Sequence, residues 1–110
     1  MRPNLDILRE AINRRKPVRF NYNNPKKPEA SGEFRVGNPH AVYATSMGNI
    51  NVDLFQTDGP IEGSSGLPSW RDYTLAYIEG LEIDEKAVPF APCDDYKPSN
   101  QKYLRKFAKI

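Results

Sequence analysis

Residues 32–43 read GEFRVGNPHAVY, and here strand, turn and titratable chemistry coincide. Taken as a strand, the segment puts Phe34 and Val36 on one face and Arg35 on the other, so a cation travels opposite an apolar side. Gly37-Asn38-Pro39 then re-aims the chain, so the stretch is expected to be one strand, a turn and a second strand. His40 is the only histidine and Cys93 the only cysteine of the sequence. Ordinary ligands therefore assemble neither a metal site nor an internal disulfide.

Working outward toward the N-terminus, residues 4–14 have helical spacing. Leu5, Leu8 and Ile12 share a face with Ile7 and Ala11 beside it, Asn4 is a candidate N-cap, and Pro17 ends the run. Arg14-Arg15-Lys16 at that end suits either a solvated helix terminus or a phosphate contact. Val18, Phe20 and Tyr22 then alternate with Arg19, Asn21 and Asn23, the pattern of a half-buried strand. The polar loop 23–31 follows, with Lys26 and Lys27 expected to be solubilising.

Working outward in the other direction, Ser46-Met47-Gly48-Asn49 is a hairpin turn. Ile50, Val52 and Leu54 then alternate with Asn51, Asp53 and Phe55 in a strand expected to pair with residues 41–45. Residues 57–69, TDGPIEGSSGLPS, form a long loop of turn formers with the makings of a lid. Its Gly63-x-x-Gly66 is no phosphate-binding loop, because no lysine follows and no helix begins there. Residues 70–75 read as a strand with Arg71 and Tyr73 on one side and Trp70 and Asp72 on the other. Residues 76–79 form a tight turn, and residues 80–84 a last short strand. Beyond an extended stretch, residues 100–110 are expected to form a short helix with Tyr103, Leu104, Phe107 and Ile110 on one face. Asp94 and Asp95 beside Cys93 argue for an inert thiol.

The composition limits the rest. In 110 residues, 38% hydrophobic and 27% charged, ten prolines and seven glycines favour short elements over a helical bundle. A net charge of +2 is far from that of a dedicated non-specific nucleic-acid binder. No apolar run reaches membrane-spanning length, the N-terminus lacks a signal-like core, and the single cysteine suits a reducing compartment, so a cytoplasmic location is expected. No nucleophile lies in a recognisable elbow and no acidic pair has a catalytic spacing, so a non-enzyme without cofactor is expected. A dyad of His40 with Asp53 or Asp72 would need the fold to bring them together.

Five segments in order resemble a WYL domain. They are the helix ending in AINRRKPVRFNY, the GEFRVGNPHAVY pair, NINVDLFQ, SWRDYTLAYIEGLEI and VPFAP. The naming triplet is replaced by Ile50-Asn51-Val52, and Ala76-Tyr77-Ile78 stands where a second arginine often follows, so the resemblance is to a divergent, stand-alone member. It implies one domain over 1–110, with a helix at 1–15, a β-barrel at 17–84 and a C-terminal extension at 88–110. The implied fold class is mainly β, a small bent five-stranded sheet or barrel like the Sm or SH3 fold. The strand pattern agrees independently, since closure manages the exposed edges of short sheets.

The resemblance further implies a regulatory module that binds an anionic nucleotide-like ligand or nucleic acid in a basic cleft. Matching positions are Tyr22, Arg35, His40, Trp70, Arg71 and Tyr73. Guanidinium groups grip phosphate bidentately, and the aromatic rings can either stack on a base or serve the core. An alternative is single-stranded nucleic acid held with the help of Lys102, Arg105, Lys106 and Lys109. A further alternative is a protein-interaction role, with a second copy or a regulatory protein as partner.

Overall fold

The computed structural model describes residues 2–26, 33–60 and 66–110. Helix α1 spans Asn4–Arg14 and buries Leu8, Ala11 and Ile12. Its N-cap is Pro3 rather than Asn4. The Asn4 amide instead donates to the carbonyls of Leu75 and Ile78 at 3.1 and 3.0 Å, tying the helix start to the sheet. Arg15 closes the helix in the left-handed conformation, φ 57°, its N–H reaching back to Ala11 and Ile12. The basic run at this end is engaged within the protein. Arg14 binds Glu10 and Glu85, Arg15 the Ile12 carbonyl and Lys16 the Ala87 carbonyl.

Among the described residues six strands follow: β1 (Val18–Tyr22), β2 (Phe34–Ala44), β3 (Ile50–Asp58), β4 (Ser69–Thr74), β5 (Ile78–Ile83) and β6 (Lys106–Lys109). Leu75–Tyr77 makes one 3-10 turn between β4 and β5. All pairings are antiparallel, in the order β4-β3-β2-β1-β5, with β6 also on β2. The fold is thus mainly β with an N-terminal helix, and the sheet is bent without closing into a barrel. The Tyr22 hydroxyl, which accepts the Thr74 N–H at 3.1 Å, ties the end of β1 to the end of β4.

The expected break at Pro39 is a bend within one continuous strand. On one side β2 pairs with β3 from Val36 to Ala44. On the other it pairs with β1 at Phe34–Gly37 and with β6 at Ala41–Tyr43. Pro39, which lacks an N–H, falls in the gap between those two partners, and the β2–β3 register shifts on either side of it. A Cβ on Gly37 would lie 2.6 Å from Leu54, so the glycine lets the bent sheet close up on itself.

The C-terminal segment departs from expectation. Residues 100–110 hold one 3-10 turn, Gln101–Tyr103, and then β6 instead of a helix. The helical face read from the sequence is not a buried face. Tyr103 is buried, while Leu104 and Phe107 are 82% and 37% exposed. Ala108 and Ile110, two residues apart, pack against the core instead, with the period of a strand. That core is formed by the inner side of α1, Val18, Phe20, Val42, Val52, Leu54, Tyr73, Leu75, Ile78 and Leu81. A second, smaller cluster of Ala41, Tyr43 and Tyr103 lies under the C-terminal segment.

Candidate ligand-binding site

The six residues singled out in the sequence separate onto two faces of the sheet. Tyr22, Arg35 and Tyr73 meet on the inner face. Arg35 is 3% exposed, and its Cζ lies 5.6 Å from the Tyr22 ring centroid and 5.5 Å from that of Tyr73. The two rings are themselves in edge contact at 4.6 Å. A guanidinium over ring faces is held by their quadrupoles and keeps its N–H edge for hydrogen bonding, as Nη1 does to the Glu33 carbonyl at 3.2 Å.

Arg71, two residues before Tyr73 on β4, shares its side of the strand and stands opposite Leu54 of the core. Its Nη1 donates to the Trp70 carbonyl at 2.7 Å. Burial raises the Tyr73 hydroxyl pKa, and the charges of Arg35 and Arg71 both oppose that rise, so two cations act on one phenol. The hydroxyl donates to Gln56 Oε1 at 2.5 Å. Gln56 is fully buried, and its Nε2 donates to the Asp58 and Pro60 carbonyls at 3.1 and 3.0 Å.

Gln56 is a residue the sequence reading missed. Its signal was available, as a polar residue in phase with Val52 and Leu54 on the buried side of a strand. Its two bonds anchor the start of the loop after β3. There Gly59, φ +99°, lies so close to β2 that a Cβ would stand 2.4 Å from the Phe34 carbonyl oxygen and 2.9 Å from Arg35 Cα. The candidate lid at 57–69, Gly63 of its glycine pair, Lys27 and Gly32 fall wholly or partly outside the described residues.

Trp70 and His40 belong to the outer face. The His40 ring is fully buried, 4.7 Å from Trp70, 5.2 Å from Phe90 and 5.1 Å from Tyr96 between centroids. Nδ1 donates to the Asn38 carbonyl at 2.8 Å, and Nε2 accepts the Cys93 N–H at 3.1 Å. This neutral tautomer satisfies both ring nitrogens, and burial lowers the pKa. His40 makes neither of the dyads considered with Asp53 and Asp72, and its bonds lock the C-terminal segment onto β2. Trp70 Nε1 donates to Asp95 Oδ1 at 3.1 Å. The Cys93 thiol has a raised pKa, from burial first and from Asp95 and Asp94 second.

The four basic residues of the C-terminal segment are not aligned on a helical face. Lys102 pairs with Asp53, Arg105 borders a groove with Thr45 and Ser46, and Lys106 and Lys109 lie in β6 opposite Tyr43 and Ala41. Among the described residues no group of three or more His, Cys, Asp or Glu side chains could hold a metal ion. No described helix is long and apolar enough to cross a membrane.

No protein-family model matches the sequence, and no curated protein matches it. Among solved structures the chain is similar to the proteasome accessory factor B/C (PafBC) of Arthrobacter aurescens, with a TM-score of 0.68 at 15% identity. The similarity covers 87% of this chain and 13% of that one, so the chain spans a small part of the protein it resembles. At this identity the likeness is one of fold, and together with the bent sheet and its N-terminal helix it supports a WYL-like fold for this chain.

Proposed function

We propose that the chain is a non-enzymatic regulatory binding module that takes an anionic, nucleotide-like ligand or nucleic acid at the inner-face cluster around Arg35. The observation that carries this reading is the Arg35 guanidinium, buried over Tyr22 and Tyr73, with Arg71 adding its charge at the same phenol. Two guanidinium groups converging on one end of a sheet suit phosphate oxygens, which accept their N–H groups in pairs. Tyr22 and Tyr73 act here as positioners of the arginine rather than as free stacking platforms.

Recognition on this reading is led by the phosphate group. A nucleoside without phosphate should bind weakly. Single-stranded nucleic acid is the second reading, favoured by the exposed Arg105 and Lys106 beyond the cluster.

Thermal stabilisation by mononucleotides, cyclic nucleotides and short single-stranded oligonucleotides at two salt concentrations tests the proposal. A ligand at about 100 times its dissociation constant adds roughly 2.7 kcal/mol, which is roughly 10 °C for a domain of this size. Arg71→Ala and Arg35→Lys should each reduce the shift, the lysine variant because it keeps the charge and loses the planar fork. A shift only with oligonucleotides, falling steeply with salt, selects the second reading. No shift with any anion defeats both.

A further inference from the structure

The outer face of β3 carries a buried carboxylate that neither the Arg35 cluster nor the main core uses. Asp53 lies between Val52 and Leu54, whose side chains enter the core, so its own points the other way. It is 4% exposed. Oδ1 accepts the Tyr43 hydroxyl at 2.8 Å, and Oδ2 accepts the Tyr103 hydroxyl at 2.5 Å and the Lys102 ammonium at 2.7 Å. The same ammonium sits 5.7 Å from the Tyr43 ring centroid and 5.4 Å from that of Tyr103. Burial first, and the bond to Asp53 second, push both phenols far above their ordinary range, so they remain donors to the carboxylate.

Two ring faces and a carboxylate around one ammonium are the elements by which proteins recognise alkylammonium groups. The Lys102 side chain is 47% exposed, so it approaches from the solvent side. It does so across a groove of about 350 Å³ to which the acids Asp72 and Asp95, the rings of Trp70 and Tyr96 and the cations Arg71 and Lys97 also contribute. An amine from outside would take the same route.

We propose that the cage of Asp53, Tyr43 and Tyr103 is a binding site for a primary alkylammonium group, filled in cis by Lys102 and exchangeable with an external amine. Its ligand class is opposite in charge to that proposed at Arg35, and Arg71 lines this groove as well. Lys102 acts as an intramolecular competitor, which lowers the apparent affinity of the intact protein without closing the site. The same ammonium chemistry has two sources, a free polyamine and a lysine side chain.

The test compares the wild type with Lys102→Ala by two-dimensional NMR, titrating n-butylammonium, spermidine and an N-acetyl, C-amide lysine. Neutral n-butanol and matched sodium chloride serve as controls. The expected result is saturable binding of n-butylammonium by Lys102→Ala with shifts at Tyr43, Asp53 and Tyr103. It should be at least about tenfold tighter than in the wild type, a difference of about 1.4 kcal/mol, and lost when Asp53→Asn is added. Tighter binding of spermidine points to a polyamine that also uses Asp72 and Asp95, and tighter binding of the lysine derivative to a peptide. If Lys102→Ala does not fold alone, its refolding with and without n-butylammonium reads the same point, rescue being expected. No binding or rescue in the variant overturns the proposal. So does a wild type unmoved at a hundredfold higher amine concentration, or an equal response to n-butanol.

Discussion

Asp53→Asn changes the hub of the outer face by one atom and nearly no volume, so its effect isolates charge and hydrogen bonding. The carboxylate receives two phenol hydroxyls, from Tyr43 and Tyr103, and the Lys102 ammonium. Hydrogen bonds to a charged acceptor contribute about 1.5–3 kcal/mol each and neutral ones about 0.5–1.5, so two bonds weakened in this way lose about 2–3 kcal/mol together. The ion pair adds less than about 1 kcal/mol, because Lys102 is half in solvent. A destabilisation of about 3 kcal/mol is expected. For a domain of this size that is a melting point lower by roughly 12 °C. Urea unfolding followed by circular dichroism, with the slope checked for constancy, measures it. Asp72→Asn is the control, since Asp72 is exposed and the bond it accepts from Asn51 is long, at 3.4 Å, and it should stay within about 0.5 kcal/mol of the wild type. An Asp53→Asn protein within about 1 kcal/mol of the wild type refutes the reasoning, because the carboxylate would then not be what holds the C-terminal segment.

Two further outcomes follow from the same structure. His40 is buried and neutral with its pKa held below the ordinary 6.5, so below about pH 6.5 the unfolded chain binds the extra proton more readily than the folded one. Stability should be unaffected by this group above that pH and should fall on acidification by up to about 1.4 kcal/mol per unit, a slope that His40→Gln should flatten in urea-midpoint series. Gly59→Ala combines a φ of +99° with a Cβ set 2.4 Å from the Phe34 carbonyl oxygen. It should cost about 2 kcal/mol or more and weaken any ligand bound at Arg35, whereas Gly48→Ala, at a positive φ with open space around it, should cost about 1 kcal/mol. Equal losses in the two glycine variants would mean that the approach to β2 is not what constrains residue 59.

Much of the framework was legible because local pattern and burial coincide. Val18, Phe20 and Tyr22 alternate as they pack, Leu8 and Ile12 share the helix face that is buried, and Arg71 and Tyr73 share a side of β4. The C-terminal segment was misread because spacings of three and four residues among Tyr103, Leu104, Phe107 and Ile110 fit a helix, while the vacant side of β2 beyond Pro39 offered a strand partner. That vacancy is a tertiary fact without a local signal. Asp53 was obscure for a related reason, since alternation assigns it to solvent and its cover includes Tyr103, 50 positions on. His40 was a reasonable candidate by type, yet its two bonds to Asn38 and Cys93 make it a fastener. Arg35 was legible as a cation in a strand, but its burial between the Tyr22 and Tyr73 rings depends on β4 and had no local signal.

Helix α1 rests partly on β6, with Arg9 Nε donating to the Phe107 carbonyl at 3.2 Å. That contact joins residues 98 positions apart, a long-range closure that forms late. During synthesis α1 emerges before β6, and its seat is complete only once β6 has followed. Until then its apolar face and the open side of β2 are both exposed. An exposed apolar face and an unpaired strand edge are the features that favour aggregation of incompletely folded chains.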